Sequence, residues 1–513
     1  MSQSPESKSS SKAGSSGKDT PATLIECLLR HVDEQPEEVA LWELGTRGKR
    51  ICLTWAELGQ AAQGLARHLL ANYPNHVVLV ALPNCAQAQV ALLGSLWSGA
   101  RTFPISPLTP ASGFASQVDK LGKCILICGE RQANDLEGIF AATLTSEAIA
   151  ASEFASSEEC PDESLHSSVL LQSSGTTGYP KLVCREMPSL LAVGRNLVDV
   201  LELCPADRML VTISLCHSYG IDLALMAATI AGSEIELHPQ YSPTTTRSSL
   251  DEGKITVWPG VPLMFDTSSR GTAGPISHQL RLAISAGSPM PVRVYDQFVA
   301  AFNIPIGQIY GTSEFGSVFY NSPSIFPFDP AAVGRPLEGV EARIISLERP
   351  DIDEPMKSGQ AGEVAIRAPS MMTQYLDAQE GPDGQGFLRT GDIGSVDERG
   401  VLRLSGRVKL LIDVGAQKVN PLEVEAIIAL HPSVSESVVV ALPYSDTADR
   451  LKAIVLAREG KSVDIAELRA HLREHLIAYK IPRVIEVRKE LPRSPSAKIL
   501  RGLLQAEAAK GSP

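Results

Sequence analysis

Nowhere in this sequence is there an uninterrupted apolar run of the ~20 residues that a membrane-spanning helix needs. The two longest apolar stretches, 76–100 and 219–237, are interrupted by Pro83 and Asn84 in the first and by Asp222 in the second. They read as buried strands and helices. A surplus of positive charge is also missing: 46 Lys and Arg stand against 58 Asp and Glu, for a net charge of −12. That balance excludes a general polyanion binder and leaves nucleic acid out as a partner. The nine cysteines form no ligand pattern, since the closest pair, Cys124 and Cys128, has no matching second pair. Free thiols in a reducing, cytoplasmic compartment are expected, not a zinc site or a disulfide framework. The first 22 residues carry lysines but no apolar core like that of a signal peptide, and read as a flexible tail. No fixed-period repeat is present, which excludes a solenoid.

What is present is a long mixed pattern. With 513 residues and 20% of them charged, the chain can bury a large core and is long enough for more than one domain. Leu58, Ala62, Leu65 and Leu69 recur at helical spacing, and the apolar run 77–82 then reads as a buried strand. Helix and strand alternate again over 89–130, the pattern of an α/β domain with helices covering mostly parallel strands. Between 386 and 412, short β runs separated by turn signals such as Glu398-Arg399-Gly400 predict hairpins. Further on, Asn420 as N-cap, Pro421 at the first helical position and Glu423 after them predict a helix that stops before Pro432. Two strands, a helix capped near Asp464, a third strand and a terminal helix follow. The expected organisation is a tail over 1–22, a large domain over 23–406 and a small α+β domain over 407–513.

Residues 170–183, LLQSSGTTGYPKLV, have the composition of a phosphate cradle. Ser173, Ser174, Thr176 and Thr177 can donate to phosphate oxygens, Gly175 and Gly178 permit close backbone approach, and Lys181 supplies a point charge. A Walker loop would feed directly into a helix. Here the following LVCRE is β-like, so the loop is expected to join two strands. On composition alone, an ordinary hairpin loop rich in hydroxyls stays open.

SSGTTGYPK resembles the phosphate-loop signature of the adenylate-forming superfamily, which includes acyl- and aryl-CoA synthetases, peptide-synthetase adenylation domains and luciferases. Further motifs resemble those of the family in the family's order. In GQIYGTSE, which supplies Gln308, Ile309, Tyr310, Gly311 and Thr312, the resemblance implies Tyr310 on adenine, the Ser313 hydroxyl on the α-phosphate and Glu314 as a magnesium ligand. SAGSPMP resembles the segment beside adenine and the acyl pocket, and brings in Ala286, Gly287 and Ser288. RTGD implies Asp392 as acceptor of the ribose hydroxyls, an acceptor-only carboxylate being suited to a cis-diol. SGRVKLLI implies Arg407 on ribose and phosphate and Lys409 as the interdomain hinge. PRSPSAKILRGLL implies Lys498 on the α-phosphate and the carboxylate oxygen. His217 matches a position beside the substrate carboxylate, and Gly220, Trp258, Gly287, Gly316 and Ser317 are pocket candidates. None of these pocket candidates is charged, which favours a fatty or aryl acid; Asp222 nearby keeps an amino acid in view.

The resemblance covers essentially the whole chain after the tail. It implies a large domain of two β-sheets flanked by helices plus a small β-barrel, followed by a mobile α+β C-terminal domain. The implied activity is an ATP-dependent acid–thiol ligase using Mg²⁺, with acyl-adenylate formation, pyrophosphate release and transfer to CoA. The segment IDVGAQKV, with Gly415 and Ala416, resembles a thiol-tunnel wall, but Asp413 and Ala416 stand where many CoA-using relatives have Asn and Gly. Likewise Ala497 precedes Lys498 where glycine is usual. A ligase loading an acyl carrier protein and a non-catalytic adenylate-binding scaffold are the alternatives. A Walker-type NTPase would instead require a helix starting at Lys181.

Overall fold

The computed structural model describes residues 23–45, 50–151, 154, 160–173, 181–271, 276–347, 355–414, 418–445, 448–493 and 499–510. The tail expected over 1–22 lies outside them. Local signals set the helices as the sequence suggests. Thr54 accepts from the Glu57 amide at 3.2 Å while the Glu57 carboxylate accepts from the Thr54 amide at 2.9 Å, a reciprocal cap that starts the helix Trp55–Asn72. Its stripe of Leu58, Ala62, Leu65 and Leu69 is buried. Each such leucine contributes roughly 1.5–3 kcal/mol by leaving water, so tertiary packing outweighs helix propensity here.

Among the described residues two sheets organise most of the fold. The smaller has seven strands, in the spatial order Gln374–Tyr375, Leu182–Glu186, Ser168–Gln172, Arg101–Pro104, Val77–Ala81, Cys124–Cys128 and Ala142–Thr145. The last five of these are mutually parallel, and the first two are antiparallel additions. The larger sheet has thirteen strands around a parallel block of Val39–Leu44, Glu234–Leu237, Arg208–Val211, Val257–Gly260, Leu282–Ser285 and Ile306–Thr312. One core fills the space between the sheets: Val78, Val169 and Val183 of the smaller meet Val211, Ile284 and Val318 of the larger, with the helices Trp55–Asn72, Ala86–Trp97 and Met187–Leu201 between them. The outer face of the smaller sheet packs on Phe114, and that of the larger on Phe265, Phe298 and Phe302. The result is five alternating layers of helix and sheet.

Among the described residues the small barrel expected from the resemblance does not close. Its strands, Ala332–Pro336, Leu402–Arg407, Leu388–Val396, Gly362–Arg367 and Glu341–Ile345, instead extend the large sheet as an open antiparallel array. Both edges of Ala332–Pro336 are already occupied, by Gly316–Asn321 and Leu402–Arg407. Glu341–Ile345 therefore has no strand to close against and pairs only with Gly362–Arg367 among the described residues.

The small C-terminal domain is built on a three-stranded sheet of Val434–Ser445, Ala448–Ala457 and Val484–Arg488. Alternation divides its faces: Val439, Ala453 and Val455 pack with Val424 and Leu468 of the helices Pro421–Ala429 and Ile465–His475, and Val438, Val440 and Ile454 with Leu504 of the helix Arg501–Lys510. Asn420 and Asp464 are N-caps, each accepting backbone amides of the first turn. All nine cysteines are free thiols; Cys27, Cys85, Cys124, Cys128 and Cys184 are buried, whereas Cys52 and Cys204 are exposed. Among the described residues no helix is long and apolar enough to cross a membrane.

Candidate active site

The parallel strands point to the site before any motif does. From Arg208–Val211 the chain moves to one side, to Glu234–Leu237, and then crosses to the other, to Val257–Gly260. Open α/β sheets bind ligands outside the carboxyl ends of strands where the order reverses in this way. The segments leaving those ends, and the ends beside them, carry His217, Ala286–Ser288 and the hairpin after Ile306–Thr312. Two buried hydroxyls there, Ser285 Oγ and Thr312 Oγ1, have no hydrogen-bond partner among the described residues. An unpaired buried hydroxyl is costly, and a bound polar ligand relieves that cost.

Ser173 and Lys181 flank the candidate phosphate loop. The strands Ser168–Gln172 and Leu182–Glu186 are antiparallel, and the Ser173 amide donates to the Lys181 carbonyl at 2.9 Å, continuing the ladder by one bond. No helix begins at Lys181, so the Walker alternative falls. Ser174, Gly175, Thr176, Thr177 and Gly178 lie outside the described residues.

The hairpin between Ile306–Thr312 and Gly316–Asn321 carries Ser313 and Glu314 at its tip. A Cβ at Gly311 would sit 2.2 Å from the Gly316 carbonyl oxygen, so only glycine lets the two arms approach this closely. Ser313 Oγ donates to the Gln172 carbonyl at 3.2 Å and ties this tip to the strand that enters the loop. Glu314 is held twice from the segment 372–375: the Met372 amide donates to its carbonyl at 2.6 Å and the Tyr375 hydroxyl to Oε1 at 3.0 Å. Lys181 forms an ion pair with Glu380 and its Nζ lies 4.7 Å from the centre of the Tyr375 ring.

A second cluster joins Tyr310, Asp392 and Arg407. Asp392, buried at 4% exposure, accepts from the Tyr310 hydroxyl at 2.6 Å and pairs through its other oxygen with Arg407 Nε at 2.7 Å. Burial, then the charge of Asp392, push the Tyr310 phenol well above its usual range, so it stays a donor. Tyr310 is itself 8% exposed, leaving only its rim in reach of a base. Gln308 and Ile309 turn inward, Gln308 Nε2 donating to the carbonyls of Asp329 and Ala332 and Ile309 joining the core. Ala286 is buried, while Gly287 and Ser288 are exposed just beyond the end of Leu282–Ser285.

The acyl-side candidates separate. His217 is exposed at the start of the short turn Ser218–Gly220. Trp258 does not line a pocket: it is fully buried on the opposite face of the large sheet, its ring tilted against those of Phe265 and Phe298, with Nε1 donating to Thr212 Oγ1. Its register explains this, because Trp258 alternates with Val257, which faces the inter-sheet core.

Charge does reach this region, through a residue not singled out in the sequence. Arg185, fully buried on Leu182–Glu186, donates to Asp222 Oδ1 at 2.8 Å and to Ser218 Oγ at 3.2 Å. Asp222 sits in the π-helical turn Ile221–Ala227 and also accepts from the Ser317 amide at 2.9 Å and Oγ at 3.1 Å. Gly316, at φ +69, leaves room for the pair, since a Cβ there would lie 2.6 Å from Arg185 Nη2. Asp222 is thus neutralised internally and is not a free receptor for a substrate amine. A lone arginine in the apolar run LVCRE was the available signal, because a buried charge needs a partner.

Lys498 lies outside the described residues, between Arg493 and Ile499, which form an isolated antiparallel bridge. Gly415 and Ala416 also lie outside, between the paired strands Ile412–Asp413 and Lys418–Val419. Lys409 falls in the 3₁₀ turn Val408–Leu410 that follows Arg407. A cavity of about 120 Å³ lined by Phe326, Asp329, Asp397 and Arg403 opens at the antiparallel end of the large sheet and contains none of the expected site residues.

A divalent ion fits this residue set in one way. Among the described residues no group of three or more His, Cys, Asp or Glu is placed to hold a metal. Magnesium dehydrates reluctantly and is commonly held by one or two carboxylates together with substrate phosphates. Glu314 offers one oriented carboxylate, which suits an ion that arrives with a nucleotide.

Comparison with known proteins identifies a family for the chain. Residues 28–376 match the model of the AMP-binding enzyme family, and residues 423–498 that of the AMP-binding enzyme C-terminal domain. The chain is similar to sulfoacetate–CoA ligase of Cupriavidus necator, 30% identical over 69% of this chain and 70% of that protein. It is also similar to oxalate–CoA ligase of Arabidopsis thaliana, 26% identical over 88% of this chain and 93% of that protein. In fold it is similar to ATP-bound MatB from Rhodopseudomonas palustris, with a TM-score of 0.85 at 23% identity, covering 94% of this chain and 99% of that one.

Proposed function

Because this chain belongs to the AMP-binding enzyme family, we propose that it is an AMP-forming acyl-CoA synthetase that activates a carboxylic acid with ATP and passes the acyl group to CoA. In the first step a carboxylate oxygen attacks the α-phosphorus, an acyl-adenylate forms and pyrophosphate leaves. Three anionic groups must meet, so positioning and charge compensation supply most of the catalysis. The observation that carries the reading is the hydrogen bond from Ser313 Oγ to the Gln172 carbonyl, which brings the tip bearing Glu314 against the strand that enters the loop.

On this reading the loop 173–181 holds the departing pyrophosphate, with Lys181 as its point charge. Ser313 sits at the α-phosphate, and Asp392 with Arg407 holds the ribose. Tyr310 packs along adenine, with Ala286, Gly287 and Ser288 beside it. Lys498 compensates charge between the α-phosphate and the attacking carboxylate, and His217 borders that carboxylate. Glu314 would hold Mg²⁺, which when bound supplies further charge compensation at the phosphates. The 3₁₀ turn with Lys409 serves as the pivot that exchanges the Lys498 face for the Gly415–Ala416 face before thiol attack.

For the acid we propose a fatty or aryl tail. Gly220, Gly287, Gly316 and Ser317 are small, and the charge beside them is internally paired as Arg185–Asp222. The nine free thiols support a reducing, cytoplasmic setting. The test is pyrophosphate release measured over fatty, aryl and amino acids, each with CoA, with an acyl carrier protein or with neither, and with AMP identified as the nucleotide product. Acid-dependent formation of ADP and inorganic phosphate in place of AMP and pyrophosphate would overturn the reading. Acyl transfer only to the carrier protein would replace CoA as acceptor.

A further inference from the structure

We propose that Tyr375 is a positioning residue that sets both Glu314 and Lys181, so that one side chain couples the site of the divalent cation to the site of the pyrophosphate. The inference rests on the reading above and adds a residue that no motif supplied.

The backbone of Tyr375 is firmly placed. Gln374–Tyr375 is the edge strand of the smaller sheet, with Tyr375 opposite Val183 on Leu182–Glu186. The Thr373 amide donates to the Cys184 carbonyl and the Leu376 amide to the Leu182 carbonyl, both at 2.9 Å. Asp377 Oδ1 accepts from the Leu182 amide at 2.9 Å, and Asp377 pairs with Lys120 at 3.0 Å. The strand that leaves the phosphate loop is therefore clamped to residues 373–377 immediately after Lys181.

From this position the two ends of the ring serve different partners. The hydroxyl donates to Glu314 Oε1 at 3.0 Å, and the ring face lies under Lys181 Nζ at 4.7 Å. A charge-assisted hydrogen bond to one carboxylate oxygen fixes the rotation of the Glu314 head and directs Oε2 to the remaining coordination role. The aromatic face stabilises the ammonium in place by cation–π attraction. Tyr375 and Glu314 are brought together by the packing of the two sheets, since one sits on the smaller sheet and the other on a hairpin of the larger.

The experiment uses the full chain with ATP and no acid, so that nothing turns over. Mn²⁺ binding in the presence of ATP is titrated by electron paramagnetic resonance, and pyrophosphate binding by calorimetry in chelator. Tyr375→Phe, which keeps the ring and removes the hydroxyl, is expected to weaken Mn²⁺ about tenfold and leave pyrophosphate within about twofold. Tyr375→Leu, which removes both, is expected to weaken both ligands. In Glu314→Gln, adding Tyr375→Phe is expected to cause no further loss of Mn²⁺ affinity. Wild-type Mn²⁺ affinity in Tyr375→Phe, equal pyrophosphate affinity in Tyr375→Phe and Tyr375→Leu, or additive losses with Glu314→Gln would each overturn the coupling. Failure of the wild-type chain to bind ATP at all would instead overturn the functional reading beneath it.

Discussion

Tyr310 donates its phenolic hydrogen to Asp392 across 2.6 Å, joining two residues 82 positions apart that belong to two different motifs. The contact makes the Asp392 carboxylate a shared element: one oxygen is held by Tyr310 and the other by Arg407. Its orientation toward a ribose diol then depends on both. Tyr310→Phe is expected to raise the KM for ATP about five- to tenfold, the worth of one hydrogen bond to a charged group, with kcat within about twofold. Asp392→Asn should cost more, because Arg407 loses its ion-pair partner as well. Initial rates of acid-dependent pyrophosphate release check both; an unchanged KM in Tyr310→Phe would contradict the role.

Lys498→Ala is expected to lower adenylation by about two to three orders of magnitude, comparable to the loss of one transition-state charge donor. Thiol transfer from a supplied acyl-adenylate should be nearly unaffected. Single-turnover assays of the two half-reactions separate these outcomes, and an equal loss in both removes Lys498 from the first step.

The buried pair Arg185–Asp222 predicts strongly non-additive energetics. Arg185→Leu alone strands a carboxylate in the core and should cost about 3–5 kcal/mol, whereas Arg185→Leu with Asp222→Leu should recover much of that loss. Urea denaturation of the two single variants and the double variant measures the coupling. Additive losses would show that the two side chains do not act as a pair.

Acid stability should depend in part on Asp207. Burial opposes its ionisation, but Arg281, which grips both oxygens at 2.6 and 2.8 Å, the Thr256 hydroxyl and the Cys204 amide outweigh burial and hold the carboxyl below its usual range. A depressed carboxyl pKa stabilises the fold above the unfolded value of 3.8, and the contribution disappears as pH falls through the folded pKa. After allowing for solvent screening at the partly exposed Arg281, Asp207→Asn should cost about 1–2 kcal/mol near neutral pH. The difference from wild type in urea midpoint should shrink as the pH is lowered toward about 3. A constant difference across that range would rule out the ion pair as its source.

Much of the local architecture was legible in the sequence because its causes are local. The caps at Asn420 and Asp464, the stripe from Leu58 to Leu69 and the β-like run after Lys181 each depend on residues within a turn or two. Long-range choices were not legible. Trp258 looked like a pocket residue until its register placed it on the far face of the sheet. The expected barrel required a pairing that Gly316–Asn321 already occupies. Arg185 and Tyr375 carry no motif, and their importance comes from partners dozens of positions away: Asp222 for one, Glu314 and Lys181 for the other. Strand pairing brings Lys181 to Tyr375, and the packing of the layers brings Glu314 to Tyr375 and Asp222 to Arg185.

The threading of the large sheet also fixes an order of events during synthesis. Val39–Leu44 emerges early, yet its parallel neighbour is Glu234–Leu237, and every strand of the smaller sheet except Gln374–Tyr375 is made in between. The smaller sheet can therefore assemble while the hairpin of Val39–Leu44 with Arg50–Thr54 still presents an open edge. Nascent chains that stall before residue 234 carry that edge exposed, as a template for pairing with other chains. The finished fold covers that edge with Glu234–Leu237.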